Sequence, residues 1–289
     1  MMKKYIVLIL SALVLMACKQ KPKSWQFSKT IKVAGVNPIG IAQTTDGIWL
    51  SDGDHKRIVR IDASGKVVEA IDSLERPMHI AANGKELVIP LYGEDAIVRW
   101  EGEIVQMLQP EDSLDAPAGV WSNGDEMAIA DFYNHRILYT ANGVDYKSFG
   151  KEGNANGAFY YPTDVQITKD HIWVADAYNN RVQRFDKNGN FQKMIGEAEK
   201  MNAATGIFVS DKELFVTDFE NNRVLVYDHD GNLQQEISDG VQKPTDILIS
   251  NGKLYIANYR TSELLVFEYL VTPEISDGVQ QNDHHNHEH

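Results

Sequence analysis

Three polar residues that recur at one position of a repeated pattern carry the donor atoms that bind metal ions. The third residue of six similar segments is, in chain order, Gly40, His79, Gly119, Asp164, Gly206 and Asp246. One imidazole and two carboxylates can hold a divalent cation and leave positions open for water or a substrate. Polar side chains also line water-filled channels without binding an ion. His79, Asp164 and Asp246 are therefore candidate ligands of a divalent metal ion, with a plain polar lining as the alternative.

A second set of candidates is aromatic and follows the second apolar run of most segments. Its members, with one neighbouring arginine, are Tyr92, Phe132, Tyr133, Tyr178, Phe219, Tyr259 and Arg260. Aromatic rings that face solvent suit a peptide, glycan or protein partner. The same rings can instead pack between neighbouring repeats, so the sequence leaves ligand binding and core packing open for them.

The C-terminal segment, residues 272–289, is polar and rich in histidine. Four of the nine histidines of the chain stand there: His284, His285, His287 and His289. The segment is too polar to fold by itself. Because clustered imidazoles bind Zn²⁺, Cu²⁺ or Ni²⁺, we interpret it either as a metal-binding tail or as a solvated chain end.

The spacing of the six segments indicates the fold class. They begin at Pro38, Pro77, Pro117, Pro162, Ala204 and Pro244, so successive starts are 39, 40, 45, 42 and 40 residues apart. Each contains short apolar runs typical of strands, and pairs such as Asn251-Gly252 separate the first run from the second, where a tight hairpin is expected. This pattern predicts an all-β protein over residues 29–271, a six-bladed β-propeller of four-stranded antiparallel blades.

A propeller would place both sets of candidates on one face. The first strands of a propeller are innermost, so the third residues of the segments are expected to ring the mouth of the central channel, with the polar ones on blades 2, 4 and 6. The loops between second and third strands share that face. The aromatic candidates are therefore expected around the same mouth, where ligand sites are sought first.

Aspartate and arginine recur together, five residues apart, in four of the segments. The pairs are Asp52/Arg57, Asp131/Arg136, Asp176/Arg181 and Asp218/Arg223. Both members are missing from the second segment, which has Leu91 and Ala96, and the sixth has Asn258 and Glu263. Loss in tandem indicates that each pair acts as a unit in which a carboxylate binds a guanidinium. We interpret these pairs as structural.

Two stretches resemble the central motif of NHL repeats, namely Ala175-Asp-Ala-Tyr-Asn-Asn-Arg-Val182 and Thr217-Asp-Phe-Glu-Asn-Asn-Arg-Val224. The stretch from Phe149 to Pro162 resembles the connector between NHL blades. The resemblance covers roughly residues 30–270 and is closest in the third to fifth segments. It implies a six-bladed propeller that serves as an interaction platform.

Two functional hypotheses follow from this resemblance. The leading one is a ligand- or protein-binding module. The alternative is a metal-dependent enzyme with its site in the central channel, because related propellers include peptidyl-hydroxyglycine amidating lyases and sugar lactonases, which hold a metal there. The lyases use three channel histidines, whereas this chain has His79 and two aspartates. The lactonases use carboxylate and amide ligands, with which Asp164 and Asp246 are compatible.

The N-terminus has the parts of a bacterial secretory signal: Lys3 and Lys4, an apolar run, and a small residue before Cys18. Leu15-Met-Ala-Cys18 resembles a lipobox, in which the cysteine is acylated; an ordinary signal peptide is the alternative. We expect a signal peptide over residues 1–17, a tether over 18–28, and a protein held in the bacterial cell envelope by a lipid on Cys18. A single cysteine allows no disulfide within the chain.

The net charge limits the possible partners. The chain carries −13, and removal of residues 1–17 removes two lysines and no acid, which gives −15. An acidic protein repels phosphate backbones, so nucleic acid is not expected as a partner. We expect a monomer that contacts the membrane through its lipid and binds a protein, peptide or glycan.

Closure of the ring has two solutions in the sequence. Thr30–Ala34 precedes the first segment as a fourth strand precedes each later one, so it can complete blade 6. Glu274–Val279 repeats the residue types of Glu236–Val241, which follow blade 5, and can compete for the same position. We favour the N-terminal strand.

Overall fold

The computed structural model describes residues 23–108 and 113–271. The expected signal peptide, Cys18, and the histidine-rich segment with His284, His285, His287 and His289 lie outside the described residues. Trp25–Tyr269 forms one compact unit, and the fold below is that of this unit. Within the described ranges, no helix is long and apolar enough to cross a membrane.

The described strands form six four-stranded sheets, so the predicted six-bladed propeller is confirmed. The first strand of the chain, β1 (Lys23–Lys32), belongs to the last blade. Blade 1 consists of β2 (Ile41–Thr44), β3 (Gly47–Asp52), β4 (Arg57–Ile61) and β5 (Val67–Asp72). Blade 2 consists of β6 (Ala81–Asn83), β7 (Glu86–Leu91), β8 (Ala96–Trp100) and β9 (Ile104–Leu108). Blade 3 consists of β10 (Pro117–Asn123), β11 (Glu126–Asp131), β12 (Arg136–Thr140) and β13 (Lys147–Phe149).

The remaining blades repeat this order. Blade 4 consists of β14 (Pro162–Ile167), β15 (His171–Asp176), β16 (Arg181–Asp186) and β17 (Phe191–Ile195). Blade 5 consists of β18 (Ala204–Val209), β19 (Glu213–Asp218), β20 (Arg223–Asp228) and β21 (Leu233–Ile237). Blade 6 consists of β22 (Pro244–Ser250), β23 (Lys253–Asn258), β24 (Glu263–Val271) and β1. Short 3-10 turns join second to third strands at Gly53–His55, Ala177–Asn179 and Tyr259–Thr261.

The burial of each strand follows from its place in the blade. Each blade packs face to face with two neighbours, so its middle strands are covered on both sides and read as continuous apolar runs. All six residues of β7 are buried, whereas four of the five residues of the outer strand β9 are exposed. Trp173 of blade 4 and Tyr227 of blade 5 are fully buried in one cluster between their blades. Burial of a large apolar side chain stabilises the fold by about 1.5–3 kcal/mol.

The N-terminal strand closes the ring, as predicted. Blade 6 has the order β1-β24-β23-β22, and its first strand meets blade 1 where Thr245 Oγ1 donates a hydrogen bond to the Pro38 carbonyl at 2.9 Å. The tether expected over residues 18–28 is wrong for its second half, because β1 begins at Lys23. Trp25 is the reason: its side chain is buried against Phe215, with the ring centroids 5.8 Å apart.

Candidate functional site

The three candidate metal ligands meet near the propeller axis; we call His79, Asp164 and Asp246 the axis cluster. Their donor atoms lie within 4.8 Å of one another, and the residues are only 4–6% exposed. A shift of strand register next to Pro162 in β14 and next to Pro244 in β22 marks a bulge, and a bulge re-aims nearby side chains. The sequence pattern therefore predicted the grouping.

The axis cluster lies beside a cavity on the propeller axis. A cavity of about 170 Å³ lies on the axis, lined by the first strands of all six blades and by the two aspartates. The three residues of the axis cluster are buried, and the two aspartates border this cavity. Neighbouring blades are in close contact beside the cluster: a Cβ at Gly40 would lie 2.5 Å from the Met78 carbonyl oxygen.

The alternation of glycine and polar residues has a packing cause. A Cβ at Gly119 would lie 2.5 Å from the Thr163 carbonyl oxygen, and one at Gly206 would lie 2.2 Å from that of Thr245. Glycine on the odd blades therefore lets each first strand contact the backbone of the next, even-numbered blade. The even blades carry the polar side chains in the space that remains.

Both carboxylates are hydrogen-bonded to backbone amides of two blades. Val165 N–H donates to Asp164 Oδ1 and Ile207 N–H donates to Asp164 Oδ2, each at 2.8 Å. Ile247 N–H donates to Asp246 Oδ1 at 2.8 Å, and Ile41 N–H donates to Asp246 Oδ2 at 2.9 Å. The aspartates thus join blade 4 to blade 5 and blade 6 to blade 1.

One ring nitrogen of His79, Nδ1, makes no hydrogen bond. The backbone of the residue joins blade 2 to blade 3, because His79 N–H donates to the Ala118 carbonyl at 3.0 Å. Its Nδ1 lies 3.4 Å from Asp246 Oδ2, yet the atom is buried without a hydrogen-bond partner. An unpaired buried nitrogen is costly, and an ion or a proton shared with a carboxylate would satisfy it.

The charges of the cluster perturb one another. Burial alone lowers the pKa of His79, but the carboxylates of Asp164 and Asp246 outweigh it, so the pKa is raised. Burial raises the pKa of Asp164 to about 7; Asp246 acts in the same direction, and His79 opposes it. The cluster therefore favours holding a proton near neutral pH.

The donor set fits a divalent cation. Each carboxylate oxygen accepts one amide hydrogen bond and has a further lone pair, and His79 Nδ1 is unpaired. Zn²⁺ bonds of about 2.1 Å place tetrahedral ligand atoms roughly 3.4 Å apart. The present separations of up to 4.8 Å would have to shorten on binding.

The loop face of blades 2–4 carries a continuous group of aromatic rings. We call it the aromatic surface, and its members are Tyr92, Phe132, Tyr133, Tyr160, Tyr161 and Tyr178. The rings of Phe132 and Tyr161 stack with centroids 4.7 Å apart, and Tyr92 and Tyr178 contact this pair on either side at 5.6 and 5.0 Å. Tyr178 is 61% exposed, Tyr133 49% and Tyr160 37%.

The other aromatic candidates lie apart from this surface. Lys243 lies over the ring of Phe219 at 5.0 Å. Arg260 lies over the ring of Tyr259 at 5.0 Å, and the Tyr259 hydroxyl donates to Asp54 at 2.6 Å. Each of these rings already has a charged neighbour from the same chain.

Tyr160 and Tyr161 were missed by the sequence interpretation. They belong to the connector before blade 4, which was interpreted only as a connector. The ring of His135 stacks on Tyr160 at 5.5 Å with the planes parallel within 1°. An aromatic doublet directly before a blade start was the signal that could have identified them.

The aspartate–arginine pairs form, and they hold the connectors between blades. Arginine Nε donates to the paired carboxylate at 2.7–3.0 Å in all four. In blade 4, the backbone N–H of Tyr160 donates to Asp176 at 2.8 Å, and Arg181 donates to the carbonyls of Asn154 and Ala155. The pair of blade 4 thus fixes the connector that carries part of the aromatic surface.

A further column of acceptors was not singled out in the sequence. The residue before the paired arginine, or its equivalent, accepts a hydrogen bond from the backbone N–H that precedes the next blade. The acceptors are Asp95, His135, Asn180 and Asn222, and the distances are 2.7, 3.1, 2.8 and 3.0 Å. These bonds join blade 2 to 3, 3 to 4, 4 to 5 and 5 to 6.

Comparisons with known proteins bear on the repeat and on the fold. The NHL repeat family model matches residues 159–185, which contain Asp164 and the pair of blade 4. A search of the curated proteins found no match.

Solved structures with similar folds include three enzymes. A gluconolactonase from Xanthomonas campestris is 12% identical with a TM-score of 0.66, over 86% of this chain and 100% of that chain. A catalytically inactive virginiamycin B lyase from Staphylococcus aureus, solved with quinupristin, is 16% identical with a TM-score of 0.63, over 86% and 88%. A streptogramin B lyase is 13% identical with a TM-score of 0.60, over 86% and 98%. Such identities show a shared fold. The protein is thus a six-bladed β-propeller that carries an NHL repeat.

Proposed function

We propose that the protein is a recognition module that binds a peptide, glycan or protein partner on the aromatic surface. The observation that carries this proposal is the exposure of Tyr133 and Tyr178, 49% and 61%, within a continuous group of six rings. Buried packing alone does not require exposed rings, and tyrosine is enriched where proteins contact partners. The bonds of Asp176 and His135 to the connector hold the surface in place before a ligand arrives.

Two probes of different chemistry test this proposal. We would titrate the protein with a β-1,4-linked hexasaccharide of N-acetylglucosamine and, separately, with a mixture of randomised decapeptides, and follow tyrosine ring signals by NMR. At least one probe is expected to shift the signals of Tyr133 and Tyr178, and the double variant Tyr133→Ala/Tyr178→Ala is expected to lose binding. If neither probe at millimolar concentration perturbs these signals, the proposal is wrong.

The proposed location is the bacterial cell envelope, with the monomeric propeller anchored to a membrane through a lipid on Cys18. The support is the lipobox-like Leu15–Cys18 of the sequence. Acyl chains contribute about 0.8 kcal/mol per buried CH₂, so Cys18→Ser is expected to release the protein from membranes into the soluble fraction. A variant that stays membrane-bound at high salt would contradict the anchor.

The second candidate is a metal-dependent propeller enzyme with its ion in the axis cluster. Two observations favour it: the donor atoms lie within 4.8 Å of one another, and His79 Nδ1 is buried without a partner. The ion would be held by His79, Asp164 and Asp246, and it would supply Lewis-acid polarisation of a substrate oxygen. Structures of similar fold include a gluconolactonase and virginiamycin B lyase. We rank this candidate second because a substrate must reach the ion, and the ligands are only 4–6% exposed.

Metal binding can be measured without an activity assay. The full chain with all four histidines of the C-terminal segment replaced by serine would be melted with and without Zn²⁺ or Ca²⁺. If the second candidate is right, the ion raises the melting temperature, since saturation at 100 times Kd adds about 2.7 kcal/mol. Replacement of His79 by alanine should remove the shift. An unchanged melting temperature in both metals would exclude this candidate.

A further inference from the structure

Cations of the chain itself cover aromatic rings on three blades of the loop face. The guanidinium of Arg76 lies 4.8 Å from the centroid of the Tyr92 ring in blade 2. Lys243 lies over Phe219 of blade 5, and Arg260 lies over Tyr259 of blade 6, each at 5.0 Å. A cation within about 6 Å of a ring centroid is attracted by the electrons of the ring. Contacts between a cation and an aromatic ring therefore recur on the loop face.

On the loop face, none of the described lysines and arginines lies over a ring of blade 3 or blade 4. Arg76 stands directly before the blade whose ring it covers, and Lys243 stands directly after the blade whose ring it covers. The residues at the same position of the sequence are Ala116 before blade 3 and Tyr161 before blade 4. Within residues 23–108 and 113–271, no lysine or arginine lies over the ring of Tyr133 or Tyr178. These two rings are also the most exposed of the aromatic surface.

Four exposed carboxylates stand in the loops beside these rings, and we call them the acidic rim. Glu94 and Asp95 follow Tyr92 in its loop, and both are exposed, as are Asp115 and Glu152. Asp115 is held close to the rings because the backbone N–H of Tyr133 donates to its carbonyl at 3.1 Å. Burial raises the pKa of the Asp115 carboxyl, and the negative charges of Asp95 and Asp131 act in the same direction. This clustering of negative charge would favour a cationic ligand.

We propose that Tyr133 and Tyr178 receive arginine or lysine side chains of an extended peptide segment of the partner. This inference rests on the recognition function proposed above and names its ligand class. Tyr133 and Tyr178 would contact cations of the ligand in the way that other rings of the loop face contact cations of the chain. The acidic rim would pair with the ligand charge. A neutral glycan would use the rings without the acidic rim, so it is the competing outcome.

The probe is a synthetic peptide with three arginines separated by Gly-Gly, and its matched control carries citrulline, a neutral isostere, at the same positions. We expect calorimetry of the full chain to show at least about tenfold tighter binding of the arginine peptide, because each exposed cation–ring contact contributes about two- to fivefold. Binding should weaken between 50 and 300 mM salt, where charges are screened over distances of roughly 14 to 6 Å.

Variants assign the site. Tyr133→Ala/Tyr178→Ala is expected to weaken binding about tenfold, and Glu94→Gln/Asp115→Asn should reduce the salt dependence. Tyr269→Ala, which changes an exposed tyrosine of blade 6, should bind as the wild type does. Melting temperatures would confirm that all variants are folded.

The outcomes separate this inference from the recognition function. Equal affinity for the arginine and citrulline peptides overturns the cation proposal. So does binding of the N-acetylglucosamine hexasaccharide without either peptide, although the recognition function then stands. If no probe binds, both proposals fail.

Discussion

The axis cluster and the aromatic surface come from the same repeat, but their side chains differ in burial and in hydrogen bonding. At the axis, Asp164 and Asp246 are buried, and each accepts backbone hydrogen bonds from two blades. On the loop face, Tyr133 and Tyr178 contact other rings and remain about half exposed. The first region holds blades together through polar groups that cannot be exchanged freely. The second region leaves aromatic surface exposed to water, and the fold does not depend on burying it.

Polarity and exposure therefore do not coincide in this molecule: polar groups are buried at the axis, and aromatic rings are exposed on the loop face. The charged residues of the repeat are mostly committed to blade contacts, whereas the exposed rings have no comparable structural task. Substitutions should therefore affect stability strongly near the axis and at the Asp–Arg pairs, and affect it little on the aromatic surface.

The largest loss of stability is expected from Asp176→Ala. Asp176 is buried and polar like the axis cluster, but it holds the connector that carries part of the aromatic surface. The change leaves the buried guanidinium of Arg181 and the N–H of Tyr160 without their acceptor. Removal of one partner of a buried pair costs about 3–5 kcal/mol. Denaturant unfolding would measure the loss, and the double variant with Arg181→Ala should lose less than the sum of the two single changes. Additive losses would mean that the pair does not act as a unit.

A smaller loss is expected from Gly206→Ala at the axis. The new Cβ would lie 2.2 Å from the Thr245 carbonyl oxygen, so blades 5 and 6 must separate, at a cost of about 1–3 kcal/mol. Thermal unfolding would report the loss. Unchanged stability would show that the blades can separate at the axis without cost, and the packing account of the glycine column would be wrong.

The pH dependence of stability distinguishes the two regions in the metal-free protein. The folded pKa of Asp164 is raised from 3.8 to about 7, and that of His79 is raised above 6.5. Between about pH 4 and 7 the folded protein therefore holds protons that the unfolded chain releases, so this contribution is full at low pH and lost as the pH rises. The free energy of unfolding changes by at most about 1.4 kcal/mol per pH unit for each proton. Unfolding in EDTA should show a steeper decline from pH 5 to 8 in the wild type than in Asp164→Asn, and parallel curves would refute the assignment.

The smallest effect on stability is expected from Tyr178→Ala. The ring is 61% exposed, and surface substitutions usually change stability by less than about 0.5 kcal/mol. The same variant should nevertheless lose affinity for the probe that the aromatic surface binds. A large loss of stability instead would place Tyr178 among the packing residues and reverse the contrast.

The sequence predicted the propeller because the same segment recurs six times. The spacing between segments is still recognisable where single residues of the pattern have changed. It also predicted the axis cluster, since one column of a symmetric repeat must converge on the axis. It did not reveal how deep the cluster lies, because depth depends on the approach of neighbouring backbones at Gly40, Gly119 and Gly206. That approach is a contact between blades, and no single segment records it.

Two local features were hidden by average composition. Residues 19–28 are polar and basic on average, yet Trp25 among them is buried and forms part of β1. Tyr160 and Tyr161 lie in a connector, which the sequence interpretation identified from its glycines without considering its aromatic residues. In both cases a few large side chains decided the structure, and the surrounding composition did not.

The closing strand imposes an order on the making of the protein. β1 is the first part of the propeller to be synthesised, and its partner β24 is the last. Trp25 lacks its packing partners until blade 5 has been added, 190 residues later in the case of Phe215. Contacts between such distant positions form slowly. A chain that stops early has no β24 and leaves β1 as an unpaired edge, which invites aggregation or proteolysis. Closure of the ring therefore requires all six blades, because β1 is paired only once β24 has been made.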